Sequence, residues 1–126
     1  MNTMQHEFDA VVAHLYKQGK PAMANGDCAY RGKNGTTCAV GCRIPDSLYH
    51  KEMEGQVLWG LTGDERFTLP PEFIKYEDMF NSLQGAHDSA ETLEDGRFDI
   101  PSLTAKLRYI ASIYNLTFIP SVTTSV

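Results

Sequence analysis

Three cysteines, Cys28, Cys38 and Cys42, and four histidines are the residues best able to do chemistry in this chain. With His50, the three thiols would make up the Cys3His donor set of a tetrahedral zinc site. The spacing argues against it, because such sites show close ligand pairs at both ends and only Cys38 and Cys42 form one. Cysteine also packs as a small hydrophobe, so buried structural thiols are preferred to zinc, and zinc to a reactive nucleophile.

A second cluster, Arg31-Gly32-Lys33-Asn34-Gly35-Thr36-Thr37, is rich in glycine and hydroxyl groups but lacks the glycine spacing of a phosphate loop. A plain turn is the simpler reading, with Arg31 and Lys33 holding a small anionic ligand as the local alternative. The adjacent pair His87-Asp88 is the kind of pair that metal-dependent phosphohydrolases use. A small hydrolase of that sort would have to recruit His14 or His50 and Asp99. His87 also continues an apolar stripe, so a packed histidine is more economical. Trp59 sits between Leu58 and Gly60 and serves equally well as a partner-surface anchor or a core residue. No nucleophile elbow, zinc-protease, dinucleotide or calcium-loop motif occurs, so no catalytic residue is assigned.

The elements that would position these groups follow from periodicity. Met4, Phe8, Val11, Val12 and Leu15 predict a helix over 3–18, with Thr3 as N-cap, Gly19 as stop, and His6 and His14 on its solvated surface. Residues 28–31 and 36–40 read as strands of a hairpin closed at Asn34-Gly35. Its register is open: Tyr30 faces either Cys38 or Ala39, and one residue of slip turns every side chain over. Asp46 is placed to cap a short turn through His50, and residues 51–72 read as a loop-rich connection. Phe73, Tyr76, Phe80, Leu83 and His87 predict a second helix over 71–86. Asp95-Gly96 marks a turn, and a third helix spans 101–114 with Asp99 as its cap. Residues 116–119 are candidates for an added strand, and 120–126 for a flexible tail.

The 126 residues, 42% hydrophobic and 21% charged, suit one α+β domain over 1–119: three principal helices around a short hairpin. A formal charge of −5 makes direct nucleic-acid binding by bulk positive charge unfavourable. There is no apolar run long enough for a membrane span and no secretory pattern at MNTMQHEFDAVV, so free thiols in the cytoplasm are expected.

The block Cys28-x-Tyr-Arg-Gly, Gly35-Thr-Thr-Cys-Ala-Val-Gly-Cys-x-Ile-Pro-Asp and Tyr49 followed by Met53-Glu54-Gly55 resembles a family of small, functionally unassigned proteins of bacteriophages and prophage-like regions. Leu83-Gln84-Gly85-Ala86-His87-Asp88 matches the later Leu-Gln-x-x-His-Asp of that family, over roughly residues 8–115 in all, while 56–72 departs from it. The resemblance implies a bacterial cytoplasmic setting and supplies no catalytic residues. It also suggests that the two blocks meet, bringing Tyr30, Arg31, His87 and Asp88 into a packing network or a recognition site. The expectation is a non-enzymatic accessory protein that binds a host protein, a defence component among the candidates. A small-ligand or zinc-binding protein using 28–42 and a hydrolase at His87-Asp88 are the alternatives, and a homodimer over the Trp59 region is allowed.

Overall fold

The computed structural model describes residues 1–119; the expected tail, 120–126, lies outside them. Among the described residues, five α-helices accompany one two-stranded hairpin, an α+β arrangement. Helix α1 (Met4–Gln18) begins where Thr3 Oγ1 accepts the His6 N–H at 3.1 Å. It ends where Gly19, at φ 75°, donates its N–H to the Leu15 carbonyl. Its inner face buries Phe8, Val11, Val12 and Leu15, as the period requires.

The hairpin lies upstream of its expected place. Strands β1 (Met23–Ala24) and β2 (Asp27–Cys28) pair antiparallel across Asn25-Gly26, both residues left-handed at φ 54° and 85°. Between 28–31 and 36–40 only Arg31 and Thr37 form a bridge, in the register that sets Tyr30 opposite Cys38. Asn34-Gly35 is also left-handed, but it closes a wider loop in which Gly32 N–H reaches the Thr36 carbonyl at 2.9 Å. Val40 then turns helical and leads into a 3-10 turn at Gly41–Arg43, which ends the pairing.

Helix α2 (Leu58–Thr62) sits inside the segment expected to be loop-rich. Helices α3 (Pro71–Lys75) and α4 (Glu77–Ser89) replace the single helix expected over 71–86. The axis bends at Tyr76, at φ −115°, although Tyr76 N–H still meets Glu72 O at 2.8 Å and Phe80 N–H meets Tyr76 O at 3.0 Å. The bend sets Phe73 edge-on to Phe80, with ring centroids 4.7 Å apart, so the apolar stripe stays intact. Helix α5 (Ile100–Ile113) buries Leu103, Leu107, Ile110 and Ala111. Asp99 occupies its cap position, but its side chain makes no capping hydrogen bond.

Helix α4 is the central element, packed on α1, α2, α3 and α5. The Asp95-Gly96 turn forms as expected, with Gly96 at φ 89° and Thr92 bridged to Phe98. Residues 116–119 form no strand. They lie on α1 instead, where Gln5 both donates to the Thr117 carbonyl (2.9 Å) and accepts its N–H (2.8 Å). Phe118 meets Phe8 edge to face at 6.1 Å. Asp46 is drawn to Arg31 Nη2 at 2.7 Å, while the following turn is held by Leu48 and Tyr49 N–H groups on the Pro45 carbonyl.

One feature of α1 departs from its periodicity. Glu7, off the apolar positions Met4, Phe8, Val11, Val12 and Leu15, is nonetheless buried, and both its oxygens are held by Arg43 through Nε and Nη2 at 2.9 Å. This pair clamps α1 to the 3-10 turn.

Candidate functional site

The two sequence blocks do meet. A cleft of about 360 Å³ opens between the 28–30 segment, the 54–58 segment and α4. Tyr30 and Cys38 line one side, Glu54 and Leu58 another, and Asn81 and Asp88 a third. Helical spacing brings Asn81, Gln84, Gly85 and Asp88 to one face of α4, and the Arg31–Thr37 bridge fixes Tyr30 beside Cys38. Tyr30 OH donates to the Gln56 carbonyl, tying the first two segments together.

His87 lies beneath this cleft, 1% exposed, as its place in the apolar stripe predicts. Its Nε2 accepts the Ala22 N–H at 2.9 Å, so the ring proton belongs on Nδ1, which donates to Asp88 Oδ1 at 2.7 Å. Both nitrogens are therefore committed. Burial raises the Asp88 carboxyl, but the stronger combined pull of His87 and of the Gln84 and Cys28 hydrogen bonds sets it below its usual value.

The alternative zinc set, Cys28, Cys38, Cys42 and His50, is not gathered. Cys28 stands at the surface on β2. Cys38 is buried and accepts the Gly41 N–H at 3.2 Å, and Cys42 donates to the Ala39 carbonyl at 3.2 Å on the side facing Glu7 and Arg43. His50 packs on Phe67 with centroids 5.7 Å apart. Among the described residues, the one cluster of metal-type donors is Cys28, His87 and Asp88, with donor atoms within 4.8 Å of one another. That set does not suit a metal. His87 Nδ1 carries a proton while Nε2 accepts from Ala22, and ligation at Nδ1 would need an imidazolate or the loss of a buried backbone hydrogen bond.

The thiols are also poor nucleophiles. Partial enclosure against the protein, with the Asp88 charge and hydrogen bond beside it, pushes Cys28 up to about 11, and deeper burial takes Cys38 and Cys42 to about 12. Alkylation of Cys28 by iodoacetamide at mildly alkaline pH is expected to run about tenfold slower than that of a free thiol, its scarce thiolate being partly offset by higher intrinsic nucleophilicity. Mass-spectrometric time courses would check this, and a rate equal to that of free cysteine would contradict it.

The remaining candidates scatter. Arg31 faces away from the cleft, with its guanidinium 4.2 Å over the Tyr49 ring and paired with Asp46. Lys33 sits in the exposed turn, and His14, expected in solvent, instead bonds the Thr37 carbonyl at 2.8 Å. An anion near Arg31 would have to displace Asp46. Trp59 resolves to the surface, 60% exposed beside Val57 at 70%, just past the cleft wall at Leu58. Sequence reasoning missed Glu54, Asn81 and Gln84. Their spacing from His87-Asp88 on one helix was a signal only for Asn81 and Gln84.

No protein-family model matches this chain, and no curated protein or solved structure matches it either.

Proposed function

We propose that the chain is a small, non-enzymatic accessory protein of phage or prophage type that acts in the bacterial cytoplasm by binding a host protein, with a defence component among the fitting targets. The observation that carries this reading is the exposure of Trp59 two residues along from Val57, which is itself exposed and lines a preformed cleft. A large aromatic side chain left in water beside a concave surface is the usual anchor of a protein interface. Protonated thiols and a histidine with both nitrogens engaged favour binding over catalysis. No helix among the described residues is long and apolar enough to cross a membrane, which accords with this setting.

Affinity capture from bacterial lysate tests it, with Trp59→Ala in parallel. Wild-type protein is expected to retain a discrete host protein, and removal of a central aromatic anchor to reduce that retention by about tenfold or more. Nothing retained above a control resin, or equal retention by the variant, would overturn the proposal. Because Trp59 is exposed, the substitution leaves the core untouched.

A further inference from the structure

We propose that the cleft between Tyr30, Asn81 and Asp88 is a docking pocket for one basic residue of a protein partner, its charged end on Asp88 and its peptide group on the Asn81 amide. The inference deepens the host-protein reading and rests on it for the source of the segment.

Charge is the first support. The cleft walls carry two carboxylates, Glu54 and Asp88, and neither lysine nor arginine. Glu54 is spent on the fold: Oε1 accepts Tyr30 N–H at 2.9 Å, and Oε2 accepts Arg31 N–H at 3.1 Å and Tyr49 OH at 2.6 Å. It lends its field but has little capacity left. Asp88 differs. Gln84 Nε2 and His87 Nδ1 both hold Oδ1 at 2.7 Å, and the only other donor to the carboxylate among the described residues is the Cys28 thiol, a weak one that a cation can displace. A carboxylate oriented by two firm donors on one oxygen, with only a weak thiol donor besides, is a prepared acceptor for a charge-assisted hydrogen bond.

Asn81 is the second support. Its Nδ2 is enclosed yet has no hydrogen-bond partner, and its Oδ1 accepts none among the described residues. A buried amide donor left unpaired costs about 1–3 kcal/mol. Rotation about the soft terminal torsion of Asn81 presents either end of the amide to the cleft it lines, where a peptide group offers both complementary atoms.

Size and lining are the third. A volume of 360 Å³ lies at the low end of ligand clefts, ~300–1,000 Å³, and suits one residue rather than a nucleotide. Ala29 and Leu58 form apolar wall for an alkyl stem, and Val57 and Trp59 stand where flanking residues would pass. An anionic ligand would meet two carboxylates here.

The probe is Nα-acetyl-lysine methylamide, followed by amide chemical shifts of isotopically labelled full-length protein. Shifts confined to 28–30, 54–58 and 81–88 are expected. The norleucine analogue, which lacks the charge, and butylamine, which lacks the peptide group, are each expected to bind about tenfold more weakly. Asp88→Asn, which preserves an acceptor for His87 and Gln84, and Asn81→Ala are each expected to weaken the probe by about tenfold. No shifts, equal binding of butylamine, or indifference to Asp88→Asn would overturn the proposal. The two readings separate in the lysate experiment: a host protein lost with Trp59→Ala but kept with Asp88→Asn leaves partner binding standing and removes the basic-residue pocket. Probe binding with no retained protein does the reverse.

Discussion

Arg43→Met is expected to destabilise the domain by about 3 kcal/mol, while the double variant Glu7→Leu/Arg43→Met returns to within about 1 kcal/mol of wild type. Glu7 is 4% exposed at its side chain, and Arg43 supplies both contacts that neutralise it. Without the guanidinium, a carboxylate stays enclosed among α1 and the 3-10 turn with only Asn2 Nδ2 still bonded to it. Removing both partners leaves no charge behind, and leucine extends the buried face of α1. The loss lies at the low end of the range for buried pairs because Arg43 is 29% exposed and water partly reaches the site. Urea denaturation of both variants decides it. A harmless single variant, or a double variant as weak as the single, would show that the pair is not the clamp described.

Gly41→Ala is the second large effect, with an expected loss of about 3 kcal/mol and collapse of the cleft. A β-carbon at this position would overlap the Tyr30 carbonyl and crowd its Cα at 3.0 Å. The obstacle is backbone, which cannot rotate aside, so Tyr30 and Cys38 must move, and both line the cleft. Gly85→Ala is the contrast. Gly85 lies within α4 with nothing within 4 Å of the position a β-carbon would take, so alanine there is expected to stabilise by about 0.5–1 kcal/mol. Thermal unfolding of the two variants should move in opposite directions. A Gly41→Ala protein as stable as wild type would refute the close approach of the two segments.

Helices α1 and α5 were legible because their ends and inner faces are marked locally, whereas the five-residue α2 carries no such signal. Thr3 and Gly19 bound α1, and Leu103, Leu107 and Ile110 mark the inner face of α5. The hairpin was misplaced because the sequence offers two Asn-Gly pairs, Asn25-Gly26 and Asn34-Gly35, both left-handed, and local turn chemistry does not rank them. Val40 settles the matter by turning helical, a consequence of the 3-10 turn packed against α1. The bend at Tyr76 was invisible for a related reason: a stripe at spacing three and four survives a kink that keeps its hydrogen bonds. At the site, the meeting of Tyr30 with Asp88 followed from the block pattern, whereas the role of Glu54 did not. It is exercised on the Tyr30 and Arg31 backbone N–H groups, 24 and 23 residues away, and no periodicity encodes such a contact.

The contacts between Gln5 and Thr117 join positions 112 residues apart, and Phe118 covers Phe8 beside them. While the chain is being synthesised, α1 emerges about a hundred residues ahead of Phe118 and waits with that part of its apolar face uncovered until residue 118 clears the ribosome. Local helices can form at once, whereas a contact across 112 residues must meet a loop-closure cost that short-range contacts escape. A nascent chain halted before residue 117 would therefore display a sticky helix that the finished molecule hides.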